Sequence, residues 1–205
     1  QEGLVEHYRE VFGLDDSIPV QYVKHIGNMF RLDFGRSLSF FPVHVLDIIK
    51  ASLPYTLVLV SISVLISFVI GTLGGALLAW RGTPKALNYF TSLFVALAPI
   101  PYYLLALVLL FVFSFGLGIL PSGGTTTMGP EGSGFALGMD LLKHSILPAL
   151  SIIISSIGGW AIGMRGMMAT IQGEDYLILA KAKGLKKSRI FLRYAVRNAL
   201  LPQLT

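Results

Sequence analysis

The residues whose types and spacing could do chemistry are concentrated in one short stretch, Gly173 to Arg197. Glu174, Asp175 and Tyr176 open it; Ala180, Lys181, Ala182, Lys183, Gly184 and Leu185 follow, and Ile190 lies in a run carrying Arg189, Arg193 and Arg197. No nucleophile and base stand together here, so what this pattern can do is bind. Acids at the beginning and lysines at the end suit the dipole of a short helix. Gly184 suits the position just past its end, and Ser188 is expected to cap a second helix running from Arg189 to Pro202. The small Ala180 and Ala182 leave room for a partner surface, while Arg189, Arg193 and Arg197 recur every four residues as one basic stripe. The same helix–turn–helix could lie on anionic lipid headgroups, to which basic clusters are drawn. Taken alone, the residues leave docking and lipid contact equally open.

Elsewhere the chemistry is sparse. There is no cysteine, which excludes disulfide frameworks and thiolate metal sites. His7, His25, His44 and His144 lie far apart and show no ligand spacing. No phosphate-cradling Gly-x-x-x-x-Gly-Lys-Ser/Thr loop occurs; the glycine-rich Gly123 to Gly129 lacks the lysine and reads as a flexible loop. No acidic or histidine residue is expected inside a membrane span, where ion-coupled carriers place one. Whatever drives this protein is expected to come from a partner.

These residues must be positioned by apolar helices. Of the 205 residues 54% are hydrophobic and 13% charged, about half the charge of a soluble domain, which places the chain in the membrane class. Ala51 to Trp80 carries no charge, nor does Ala86 to Pro130, nor His144 to Met164. About 20 apolar residues cross a bilayer as a helix, so spans are expected near 54–80, 88–116 and 144–168, within a transmembrane core of residues 51–170. The first is expected to start near Pro54, tolerated in a first turn. Pro99 and Pro101 should kink the second, and Trp160 and Arg165 suit the far interface of the third.

Charge sets the expected orientation. The turn Arg81-Gly-Thr-Pro-Lys85 carries two cations, and residues 171–197 carry seven Lys/Arg against two acids. A three-span path puts both on one side, the cytoplasmic one by the positive-inside rule. Residues 1–50 form an extracytoplasmic segment in that reading, and Tyr8, Phe12, Tyr22, Phe30 and Phe34 among its charges suggest a folded element. Gly71/Gly75 and Gly159/Gly163, with Ser63/Ser67 and Ser151/Ser155, suit close helix packing or a narrow polar path.

Glu174-Asp175-Tyr176, Ala180-x-Ala182-x-Gly184-Leu185, Ile190 and Arg197-Asn-Ala-Leu-Leu-Pro202 resemble the EAA-type coupling loop of ABC importer permeases. Asp33-Phe-Gly-Arg-Ser-Leu38, Pro99-Ile-Pro101 and Leu147-Pro-Ala-Leu150 are similar to the dipeptide/oligopeptide/nickel branch, in the family's order over nearly the whole chain. Tyr194 departs from the pattern, standing where many relatives have histidine, so no imidazole role carries over. The resemblance implies an all-α, multi-spanning bundle of the type I importer kind. Residues 171–197 would be the coupling loop and 198–205 the start of the next span, in a piece lacking one helix before Gln1 and two after Thr205.

The resemblance also implies a division of labour. A second permease subunit completes the path, two cytoplasmic ATPase subunits bind ATP and Mg, and an extracytoplasmic solute-binding protein delivers a peptide or similar small solute. This chain would be non-catalytic, touch membrane lipid and no nucleic acid, and sit in the cell membrane. Glu174, Asp175, Tyr176, Ala180, Ala182, Gly184, Leu185 and Ile190 would couple it to the ATPases. The competing class is a secondary carrier or channel subunit.

Overall fold

The computed structural model describes residues 9, 13, 15–81, 83–128 and 132–204; His7, Tyr8 and Phe12 lie outside the described residues. The chain divides into two units, Gln1–Leu57 and Val58–Thr205. No β-strand occurs among the described residues, and the fold is all-α.

In the first unit, α1 (Ile18–Phe30) has a proline in its first turn, where the missing N–H costs nothing. The segment after it is stapled on itself. Asp33 Oδ1 accepts the Gly35 N–H at 3.0 Å, Val45 N–H reaches the Gly35 carbonyl, and Ser37 N–H the Val43 carbonyl. Gly35 sits at φ +70, a left-handed conformation that glycine adopts without strain. Arg36 donates to the Pro42 carbonyl at 3.2 Å. The Asp33-Phe-Gly-Arg-Ser motif is thus a turn that holds the chain entering the first long helix.

That helix, α2 (Val45–Ala79), has 35 residues and is about 52 Å long at 1.5 Å per residue. It starts nine residues before Pro54, which therefore lies inside it rather than in a first turn as expected. Nothing in residues 45–53 breaks a helix, and a proline at 54 removes one bond to the preceding turn. Polarity marks where a helix leaves lipid, whereas backbone hydrogen bonding decides where it ends.

After a single 3₁₀ turn (Lys85–Leu87) come α3 (Asn88–Leu97) and α4 (Tyr102–Leu109), the latter continuing as a π-helical turn over Leu110–Gly116. Pro99 and Pro101 do more than kink this stretch: the two halves meet at 100°. Neither half reaches the roughly 30 Å of the hydrocarbon core alone. α5 (Gly134–Ile171) has 38 residues. Its first ten, residues 134–143, precede the uncharged stretch and bring Asp140 into its opening turns.

α2 and α5 meet through small residues. Ser63, Ser67, Gly71, Thr72, Gly75 and Ala76 are the buried positions of α2, a stripe of four-residue spacing that lets backbones close in. A Cβ on Gly71 would lie 2.7 Å from the Ile157 carbonyl, and one on Gly75 would overlap that of Ala161. On the next face of α5, a Cβ on Gly158 would come within 2.5 Å of the Phe94 carbonyl, so α5 also packs against α3. By contrast Gly159 and Gly163 have nothing within 4 Å.

The serines follow the packing arrangement. Ser63, Ser67 and Ser151 are fully buried and donate to carbonyls of their own helices, at 2.7 Å to Leu59, 2.9 Å to Val64 and 2.8 Å to Pro148. Trp160 takes part in the packing too: its ring meets Phe68 edge-on at 5.0 Å.

Candidate coupling site

The Glu174–Ile190 segment grows directly from the ends of the two long helices. Gln172, closing α5, donates its side-chain amide to the Ala79 carbonyl at 2.7 Å, which ties α5 to the end of α2. Glu174 takes an extended conformation (φ −73, ψ 141) and α6 (Asp175–Ala182) begins at once, with Asp175 in its first turn and Lys181 in its last. Neither Glu174 nor Asp175 forms a cap hydrogen bond, so both carboxylates stay exposed.

The helix stops as its sequence suggests. Gly184 lies at φ +71; its N–H reaches the Lys181 carbonyl at 2.9 Å, and Leu185 N–H reaches that of Ala180 at 3.3 Å. This is the Schellman pattern, in which the residue after the helix is left-handed and two terminal carbonyls are satisfied. Ser188, expected as a cap, is not one. The next helix, α7 (Lys187–Arg189), already contains it, Lys186 flanks the start, and no side chain caps it. α7 runs on through a π-helical stretch (Ile190–Val196) into α8 (Arg197–Leu204).

The eight residues singled out from sequence divide between two faces. Ala180 and Ile190 are buried at 3% and 2% exposure, together with Leu177 at 1%. They join Ala76, Met164, Met168, Ala195, Val196 and Ala199 in one cluster, against which Tyr176 and Leu185 pack. Trp80 extends it by meeting Phe191 edge-on at 5.2 Å. Glu174, Asp175, Ala182 and Gly184 point outward. With them stand Ile178 and Leu179, exposed at 57% and 56%, which the motif did not single out. A signal existed: Leu177-Ile178-Leu179 are consecutive, and at 100° per residue three neighbours cannot all face one core.

The arrangement is a short, stiff helix glued by its inner face to both long helices, offering two carboxylates and two aliphatic side chains outward. No group of three or more His, Asp or Glu residues able to hold a metal is found among the described residues.

Binding-protein-dependent transport system inner membrane components match this chain over residues 71–205. The chain belongs to that family and is an integral membrane protein of the inner membrane, consistent with two helices long and apolar enough to cross a bilayer and a third, bent pair. It is 37% identical over 203 residues to the oligopeptide transport system permease protein AppB of Bacillus subtilis, covering 98% of this chain and 62% of that relative. It is 33% identical over 195 residues to the oligopeptide permease protein OppB of Haemophilus influenzae, covering 95% and 60%. The dipeptide permease protein DppB of Lactococcus lactis is 26% identical over 201 residues, covering 98% and 62%. The chain thus spans about three fifths of the length of the curated relatives it matches.

Proposed function

We propose that the protein to which this chain belongs is the permease subunit of an ATP-driven importer for di- or oligopeptides, and that α6 is its contact with the motor. The observation that carries this is the two-faced α6. Its inner face is fused to the ends of α2 and α5, and its outer face exposes Ile178 and Leu179 beside Glu174 and Asp175. Exposed aliphatic residues next to charges on a rigid helix fit a protein groove, and a push on such a helix moves both spans together.

In this reading two cytoplasmic ATPase subunits hold ATP and Mg, a second permease subunit completes the path, and an extracytoplasmic binding protein delivers the peptide. The chain supplies no catalytic group. Residues 1–50 and the loop 117–133 face outward, and residues 81–85 and 171–197 face the cytoplasm. The broken α3–α4 pair then crosses as one span, because a re-entrant path would put the two basic segments on opposite sides, against the charge bias. The peptide class rests on the names of the relatives.

The test is uptake of a labelled oligopeptide by the complete complex in proteoliposomes. ATP inside and binding protein outside should both be required, and collapsing ion gradients should leave uptake intact. Uptake driven by a gradient without ATP would replace this reading with a secondary carrier. Cysteine labelling at Thr83 and Ser133 of the whole protein checks the topology: external labelling at 83, or protection at 133, would overturn it.

A further inference from the structure

Between the inner side of α6 and the ends of α2 and α5 lies a cavity of about 380 Å³, within the roughly 300–1,000 Å³ usual for small-molecule sites. Its walls are apolar, with Trp80 from the end of α2, Leu177 from α6, and Leu185 and Ile190 beyond. Three cations complete it, Arg81, Lys181 and Lys187, from three separate segments, and no carboxylate lines it. All three are exposed, and none is in an ion pair among the described residues. A concave site lined by charges of one sign over low-dielectric walls concentrates counter-ions.

Position narrows the anion. Arg81 follows the last residues of α2, and the Gln172 lining residue follows the last of α5; both helices are long and apolar enough to cross a membrane. The uncharged run of α2 ends at Trp80 and Arg81 is the first cation after it, so apolar and basic walls meet in this cavity where polarity returns, and basic pockets between such helices suit phosphate-bearing lipids.

We propose that this cavity holds one anionic phospholipid, its phosphate among Arg81, Lys181 and Lys187 and its upper acyl chain against Trp80, Leu177 and Leu185. The bound lipid braces α6 along the edge formed by Leu177 and Lys181. The site requires the membrane setting but not a docked ATPase.

The experiment uses the full-length protein reconstituted with a photoreactive phosphatidylglycerol labelled near the top of one acyl chain. Crosslinks are expected in the peptides containing Trp80 and Leu177 to Leu185, with none above background for the phosphatidylcholine analogue. Arg81→Gln with Lys187→Gln should weaken labelling by about fivefold per charge, on the order of 25-fold together. Because these residues are exposed, the fold is expected to survive, as gel filtration checks; Lys181→Gln alone supplies the fivefold arm if the double variant fails to assemble. Arg193→Gln with Arg197→Gln, on the separate exposed stripe, should leave labelling unchanged. Equal loss in that stripe variant would reduce the effect to diffuse surface charge and overturn the site. So would labelling indifferent to Arg81 and Lys187, or labelling abolished by an equal concentration of soluble glycerol phosphate.

Discussion

Gly71 and Gly75 on α2 share their four-residue spacing with Gly159 and Gly163 on α5, yet within this chain the two pairs behave oppositely. Side chains on the first pair would run into the backbone of α5 at Ile157 and Ala161, whereas the second pair has nothing within 4 Å. The glycine next to that second pair, Gly158, does meet a neighbour closely, against Phe94, one position and about 100° away from Gly159. Spacing makes close approach possible; which face is used depends on where the other helices are.

The largest effect is expected at Gly75. Leucine there cannot be absorbed by a rotamer change, because the obstacle is the Ala161 backbone, so α2 and α5 must separate at a cost of about 3 kcal/mol or more. Thermal unfolding of the detergent-solubilised protein measures this, and a Gly75→Leu protein with an unchanged midpoint would break the comparison.

Next comes the outer face of α6. Ile178→Asp should leave the fold intact, since the side chain is exposed, but weaken ATPase binding by about 2 kcal/mol, roughly thirtyfold. Co-purification of the ATPase subunits and solute-stimulated ATP hydrolysis report it. Ala180→Asp, on the inner face, should instead reduce stability, so that similar behaviour of the two would erase the distinction between the faces.

Gly184→Trp is expected to cost roughly 1 kcal/mol from its positive φ and to impair coupling through its ring, while membrane insertion stays normal. Normal stimulation of ATP hydrolysis in this variant would remove Gly184 from the docking surface.

The smallest effect is expected at Gly159, where leucine enters open space and stability should change by less than about 0.5 kcal/mol. Transport lost with normal stability would sharpen the comparison, marking this face as one that meets another chain.

The long helices, the all-α class and the Schellman stop at Gly184 were legible in the sequence because each depends on local rules: runs of apolar residues and a left-handed glycine after a helix. The expected start at Pro54 failed for a local reason of its own, since a proline tolerates a preceding helix when only one bond is lost. The expected cap at Ser188 failed likewise, because the helix begins one residue earlier at Lys187 and leaves the hydroxyl inside it. The Glu174–Ile190 segment was legible as a motif, but not which side chains it buries: Ala180 and Ile190 lie in the core, whereas Ile178 and Leu179 are exposed.

Sequence alone determined that this chain lives in a membrane and where its cations cluster, since transfer of apolar runs and the charge bias act through composition and local order. Tertiary structure decided which face of each helix is used. It set the 100° turn at Pro99 and Pro101, drove Trp160 onto Phe68, and gathered Arg81, Lys181 and Lys187 around one cavity. The Trp160–Phe68 contact and the cavity join residues about a hundred positions apart, as do Gln172 with Ala79 and Gln203 with Thr72. Such pairings come from backbones packing to contact, and no spacing rule along one helix contains them.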